Sequence, residues 1–262
     1  MASVAEHLQR LQERIGLTNG RGPLDVETQK LYFTQSQGLF YVAYYGSDYD
    51  DFLETICQPE VAVQLGALTI QGPDKGANGT RNWDFTALIE SGTEFPCLNS
   101  LFVEPTEPGR HNQTIIGADY EEEGQIGRML ARMPALQSLT VPSAPDAGFF
   151  ERAEHPLAIL RVESGYDHQS FIANFSRSSC FPHLRLLDFG DYNQRYMEDY
   201  AQQCTPFADY QALFRSPAFR NITGQGFSLR NSVLAAAQLA DLRQLHDQVP
   251  FYVIQSYGEY VR

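Results

Sequence analysis

The sequence predicts an α/β solenoid in which parallel strands line a concave side and helices cover a convex side. Four near-identical segments, the helical stretches between strands and a turn after each segment all favour this class. The segments are FPCLNSLFVEP (95–105), MPALQSLTVPS (133–143), HPLAILRVESG (155–165) and FPHLRLLDFGD (181–191). Each places Pro ahead of a leucine-type residue and continues with an L-x-V/F alternation, which is typical of a strand.

Residues 1–59 are predicted to cap the solenoid. Residues 2–16 have an amphipathic helix pattern, residues 30–46 read as a hairpin turning at Ser-Gln, and GSDYDDFLETICQ reads as a helix. A solenoid needs terminal units that cover its exposed core ends. We therefore expect a helix–hairpin–helix cap, followed by the solenoid itself over residues 60–262.

Within the solenoid, the leucines of the repeats are predicted to point inward from neighbouring strands. A degenerate copy, QLGALTIQG (64–72), precedes the four repeats, and SPAFRNITGQG (216–226) and VPFYVIQSY (249–257) are candidate sixth and seventh strands. The inward residues are Leu68, Leu101, Val103, Leu139, Val141, Leu160, Val162, Leu187 and Phe189. Apolar residues at three- and four-residue intervals predict helices between the strands. These lie within residues 80–92, 120–133, 167–179, 209–216 and 232–247.

The repeats resemble those of bacterial cytosolic leucine-rich-repeat proteins with FPxLxxLxV units, distant relatives of the ribonuclease-inhibitor-like group. The likeness covers roughly residues 60–257, but Pro142, Ser164 and Asp191 stand where those repeats usually close with Asn or Cys. It implies a leucine-rich-repeat-like horseshoe that binds another protein. Similarity to ribonuclease-inhibitor-like repeats and to bacterial immunity proteins further implies an immunity protein or inhibitor that neutralises a toxin or enzyme.

Net charge narrows the class of partner. The chain has 32 acidic and 19 basic residues, a formal net charge of -13. Such a surface repels nucleic acid and anionic lipid and suits a basic partner, although acidity also serves solubility alone. The resemblance implies that a basic partner is a toxin or enzyme. The sequence shows no apolar signal core and no run of about 18 apolar residues, which predicts a cytoplasmic protein.

The predicted binding surface combines a concave wall and a loop rim. Residues that alternate with the inward leucines should face the wall. The wall set is Thr69, Gln71, Phe102, Glu104, Thr140, Arg161, Glu163, Asp188 and Thr223, and the rim set is Tyr166, Asp191 and Tyr192. Phe102 is the expected aromatic anchor. Glu104, Glu163 and Asp188, with Asp191 beyond the strand, predict an acidic stripe.

Catalytic and metal motifs are weak in this sequence. It contains no HExxH and no CxxC pair. His155 and His183 occupy comparable repeat positions, which keeps a hydrolase or metal enzyme open as a minor alternative. The leading expectation is a non-enzymatic binding protein without cofactor or metal, and the second is a structural or assembly subunit.

Overall fold

A computed structural model of the chain describes residues 3–19, 29–74, 79–107, 110–118, 120–192 and 198–256. These residues form a mixed α/β structure with a nine-stranded, mostly parallel sheet and a separate two-stranded sheet. The strands are β1 (Lys30–Ser36), β2 (Leu39–Tyr45), β3 (Leu65–Gln71), β4 (Gly79–Trp83), β5 (Ser100–Val103), β6 (Asn112–Ile116), β7 (Ser138–Val141), β8 (Ile159–Glu163), β9 (Leu186–Gly190), β10 (Gly226–Arg230) and β11 (Phe251–Ile254). The helices are α1 (Val4–Asn19), α2 (Asp50–Ile56), α3 (Pro59–Ala62), α4 (Thr86–Glu90), α5 (Gln125–Ala131), α6 (Phe171–Arg177), α7 (Tyr200–Gln203), α8 (Phe207–Arg215), α9 (Pro217–Arg220) and α10 (Ala236–Leu245), with a 3₁₀ turn at Ala147–Phe150.

The strands of the main sheet follow one another in chain order. Their order is β1-β2-β3-β5-β7-β8-β9-β10-β11, while β4 pairs with β6 in the smaller sheet. Only β1 and β2 pair antiparallel, and the other main-sheet neighbours are parallel. Helices or longer connections carry the chain back between parallel strands, as parallel pairing requires.

The leucines of the repeats lie side by side, as the sequence predicts. Register pairs join Leu68 to Leu101, Leu101 to Leu139, Leu139 to Leu160, and Leu160 to Leu187. All five side chains are buried. The predicted alignment of successive Pro-led segments as parallel neighbours is confirmed.

Helices pack on the face of the sheet that carries these leucines. Ring pairs mark the contacts: Tyr44 of β2 stacks on Phe52 of α2 with centroids 4.7 Å apart, and Phe171 of α6 stacks on Phe189 of β9 at 5.3 Å. The buried side chains of strands and helices join one hydrophobic cluster. Full burial of each large apolar side chain contributes roughly 1.5–3 kcal/mol, so this face supplies the main stabilisation.

The N-terminal segment has the predicted helix, hairpin and helix. Helix α1 buries Val4, Leu8, Leu11 and Ile15, the stripe that the sequence indicated. The hairpin turns at Gln37 and Gly38, both with positive φ, one residue later than expected. Strand β2 pairs in parallel with β3, so the hairpin belongs to the same sheet as the repeats.

Two sequence predictions are wrong in detail. Residues 79–83 form strand β4 rather than the start of a helix, because they pair with β6 from the long segment after β5. Tertiary pairing overrides local helix pattern here. The strand predicted as the sixth repeat copy lies at 226–230 rather than within 216–226, and it is the eighth strand of the main sheet. Residues 217–220 form helix α9 instead, for which Ser216 accepts an N-cap bond from Phe219 N.

Candidate binding face

The side chains that alternate with the buried leucines lie on the other side of the main sheet, called here the open face. One register row of this face crosses all nine strands: Tyr32, Ala43, Thr69, Phe102, Thr140, Arg161, Asp188, Ser228 and Tyr252. The terminal tyrosines are exposed, Thr140 is buried, and the others are half-buried. The structure therefore brings together five of the predicted wall residues in a single row.

A cluster of four charged side chains, called here the arginine–carboxylate cluster, occupies the open face at β8, β9 and β10. Its members are Arg161, Glu163, Asp188 and Arg230. Arg230 Nε donates to Asp188 Oδ1 at 2.5 Å, and Arg230 Nη1 donates to Glu163 Oε1. Arg161 is more distant, 3.8 Å from both carboxylates.

Arg230 is the inner cation of the cluster and Arg161 the outer one. The Arg230 side chain is 10% exposed, whereas that of Arg161 is 38% exposed. Burial by itself would lower the pKa of Arg230, but the charges of Glu163 and Asp188 outweigh it and raise that pKa. Arg230 therefore stays charged and is the closer cation to both carboxylates, while Arg161 supplies the second positive charge from 3.8 Å.

The bridge from Glu163 to Arg230 spans three strands because the residue between them is glycine. Glu163, Gly190 and Arg230 are register partners in β8, β9 and β10. A Cβ atom added to Gly190 would overlap Glu163 Oε2 and come within 3.1 Å of Arg230 Nη1. The missing side chain is thus what lets a β8 carboxylate meet a β10 guanidinium.

The predicted acidic stripe is wrong as a free negative surface. Glu163 and Asp188 face Arg161 and Arg230, so these four charges cancel. Glu104 lies just beyond β5 and is buried; it forms ion pairs with Arg81 at 3.3 Å and Arg110 at 2.9 Å. Carboxylates this close to the sheet need partners, because unpaired buried charge is strongly unfavourable.

Asp191 and Tyr192 are buried rather than exposed on a rim. Asp191 Oδ1 accepts bonds from the backbone N–H groups of Tyr192 and Thr205, and its Oδ2 accepts one from the Tyr210 hydroxyl at 2.8 Å. Burial raises the pKa of Asp191 against these hydrogen bonds. Asp191 therefore ties the end of β9 to the segment that begins α8, which is a structural role.

The remaining predicted site residues have separate locations. Tyr166 is exposed after β8, and its hydroxyl hydrogen-bonds the Thr80 hydroxyl of β4. Gln71 is half-buried at the end of β3, paired in register with Tyr45. Thr223 is exposed but precedes β10, so its placement on the strand wall is wrong.

Sequence reasoning missed Arg230, the residue that organises the open face. It lies in the stretch GQGFSLRN (224–231), of which residues 226–230 form strand β10. The F-x-L alternation in Gly-Phe-Ser-Leu-Arg was the available signal, since Phe227 and Leu229 are buried and align with Leu187 and Phe189.

The two histidines at comparable repeat positions, His155 and His183, have different surroundings. His155 is buried, with Nε2 at 3.2 Å from the carbonyl oxygen of Met133, and burial lowers its pKa. His183 is exposed. Across the described ranges, no three His, Cys, Asp or Glu side chains are grouped so that they could hold a metal ion.

Similarity to other proteins adds no assignment. No protein-family model, curated protein or solved structure matches the chain. In the part of the chain that the structure describes, every helix is too short or too polar to cross a membrane.

Proposed function

We propose that this chain is a leucine-rich-repeat-like solenoid that binds another protein through its open face, without catalysing a reaction. The observation that carries the proposal is the row of half-exposed side chains that crosses neighbouring strands in register. The chain order of the strands and the repeat spacing support the solenoid. For example, 21 residues separate Leu139 from Leu160 and 27 separate Leu160 from Leu187.

Phe102 and Arg161 are the proposed anchors of this interface. They belong to the same register row, two strands apart, and both are half-buried with their outer parts accessible. Aromatic and arginine side chains dominate binding energy at protein interfaces. Arg161 lies 3.8 Å from Glu163 and Asp188, which is too far for a hydrogen bond. A carboxylate or carbonyl group of a partner can therefore bind Arg161 while the ion pairs of Arg230 stay in place.

The proposed partner is a basic protein, and the proposed role is that of an immunity protein or inhibitor. The formal net charge of -13 supports a basic partner, because it accelerates encounter with positive charge over long range. Since the arginine–carboxylate cluster is neutral, this attraction comes from acidic residues elsewhere on the surface. The inhibitory role itself is supported by the resemblance of the repeats.

The decisive test is a binding comparison among surface variants. Tagged wild-type protein captures partners from the source cell lysate, and each captured protein is then purified and titrated by calorimetry. We expect Phe102→Ser and Arg161→Glu each to weaken the complex at least tenfold, which is about 1.4 kcal/mol. Val63→Ser, on an exposed residue next to α3, is the matched control and should bind as the wild type does.

Two results would overturn the proposal. One is a complex that tolerates both open-face substitutions; the other is equal loss of binding in the Val63 control. Affinity should also fall as salt is raised, because screening shortens the reach of the acidic surface. A salt-independent complex would remove the basic-partner part of the proposal.

A second candidate function, self-assembly, is favoured by the last described strand of the main sheet. Tyr252 and Ile254 of β11 are exposed, and among the described strands β11 pairs with β10 alone. Open edge strands carrying apolar side chains favour pairing with another chain. Light scattering tests this: a concentration-independent dimer lost on Ile254→Lys would support assembly, and a monomer would exclude it.

A further inference from the structure

A polar cavity lies between the loop that follows β2 and strand β4. Its volume is about 140 Å³, and its walls include Ser47, Tyr49 and residues 80–83. Ser47 is exposed and Thr80 and Arg81 are half-buried, so this end of the cavity meets solvent. Trp83, fully buried, packs against Tyr49 with ring centroids 4.9 Å apart. These residues are separate from the proposed anchors Phe102 and Arg161.

Three consecutive residues of β4 line this cavity, and each has a buried polar atom without a partner among the described residues. Arg81 Nη2, Asn82 Oδ1 and Trp83 Nε1 are buried and have no hydrogen-bond partner within the described structure. Native proteins leave few buried polar atoms unsatisfied, and each one costs roughly 1–3 kcal/mol. Three in succession around one cavity indicate hydrogen-bonding capacity reserved for a bound group.

The free capacity has a definite donor and acceptor pattern. Arg81 Nη2 and Trp83 Nε1 are donors, and Asn82 Oδ1 is an acceptor. The Tyr49 hydroxyl accepts a bond from Asp84 N at 2.7 Å, which leaves its own proton to donate. The cavity therefore offers several donors to one oxygen and one acceptor to an N–H group.

We propose that this cavity binds a primary carboxamide. The carboxamide oxygen would accept from Arg81 and Trp83, and its NH₂ group would donate to Asn82. A carboxylate has no N–H group for Asn82 Oδ1, so it would require the Asn82 amide to turn, and an ammonium would meet the charge of Arg81. Arg81 Nη1 already pairs with Glu104 at 3.3 Å, and a neutral ligand adds no further buried charge beside this pair.

The sole tryptophan of the sequence reports on this site directly. Because Trp83 is the one Trp among 262 residues, its fluorescence monitors the cavity without added labels. Propionamide is the probe. We expect a saturable change in the emission of Trp83 with propionamide. A response at least threefold weaker is expected with N,N-dimethylpropionamide, which keeps the carbonyl but has no N–H, and with propionate.

Substitutions at Asn82 test the acceptor. Asn82→Leu should weaken propionamide binding about three- to tenfold, the effect of one hydrogen bond, while Asn82→Asp keeps an acceptor oxygen and should retain binding. Asn221→Leu, an exposed residue next to α9, is the matched control. Circular dichroism shows whether each variant folds. If Asn82→Leu does not fold, the comparison of propionamide, N,N-dimethylpropionamide and propionate on the wild type still tests the proposal.

Other outcomes overturn the assignment. No saturable signal, or equal responses to propionamide, its dimethyl form and propionate, would mean that the cavity holds water alone. Wild-type affinity in Asn82→Leu would remove Asn82 from the site. The peptide Gly-Gln-Gly, with Gly-Glu-Gly as control, identifies the source of the carboxamide: tighter binding of the glutamine peptide than of propionamide indicates a protein side chain, and the reverse indicates a free small amide.

Discussion

The two faces of the main sheet are stabilised in different ways. On the core face, Leu101, Leu139 and Leu160 repeat the same apolar contact from strand to strand. On the open face, the residues in the next positions along the same strands are Phe102, Thr140 and Arg161, which share no chemistry. The core face therefore repeats one kind of apolar contact, whereas the contacts of the open face differ from strand to strand.

This difference explains where substitutions should matter. Apolar contacts are non-directional, so the core face tolerates a change of shape more readily than a loss of volume. The arginine–carboxylate cluster depends on individual charges that are mostly withdrawn from water. Removal of one of them leaves the others without compensation, even though the cluster lies on the accessible side of the sheet.

The largest effect is expected in the core. Leu160→Ala should lower the free energy of unfolding by about 2–5 kcal/mol, because a fully buried leucine leaves a cavity when truncated. Phe102→Ala, in the adjacent register row on the open face, should lower the free energy of unfolding by less than about 1 kcal/mol. Urea denaturation measures both. Equal losses would contradict the division between the two faces.

Next comes the inner arginine. Arg230→Met should lower the free energy of unfolding by about 3 kcal/mol, since it leaves Glu163 and Asp188 without their closest cation. The triple variant with Glu163→Gln and Asp188→Asn should recover most of that loss. If the single variant were as stable as the wild type in urea, the cluster would have no structural role.

Gly190 gives an intermediate effect. Gly190→Ala should cost about 1–3 kcal/mol, because the new methyl group overlaps Glu163. In a Glu163→Ala background the same change should cost clearly less. A thermodynamic double-mutant cycle measures the difference. Additive effects would mean that the ion pair between Glu163 and Arg230 does not depend on the missing side chain of Gly190.

The smallest effect concerns pH and His155. Burial lowers the pKa of His155, so the unfolded chain takes up its proton first as pH falls. Stability should therefore decline from about pH 7 downward, below the ordinary histidine pKa of about 6.5, with a slope of at most ~1.4 kcal/mol per pH unit from this group. His155→Gln should flatten the slope relative to wild type, whereas His183→Gln, at an exposed position, should not. Identical slopes in all three proteins would argue that His155 titrates normally.

Much of the core could be read from the sequence because it repeats. The FPxLxxL pattern placed Leu101, Leu139, Leu160 and Leu187 in one row, and burial of that row follows from alternation alone. The open-face residues Phe102, Arg161 and Asp188 followed from the same alternation. Their surroundings did not, because Glu163 and Asp188 pair with Arg230, which lies 67 and 42 residues further along the chain.

The sequence by itself determined that the repeat leucines Leu101, Leu139, Leu160 and Leu187 are parallel neighbours and face the core, since period-two apolar patterning is a local property. Only the tertiary structure decided the charge state of the open face and the existence of the small β4–β6 sheet. Both depend on side chains or strands from distant segments meeting in space. The spacing of residues along the chain does not predict these ion pairs or this strand pairing, because their interaction free energy arises only when the distant partners are brought together and desolvated.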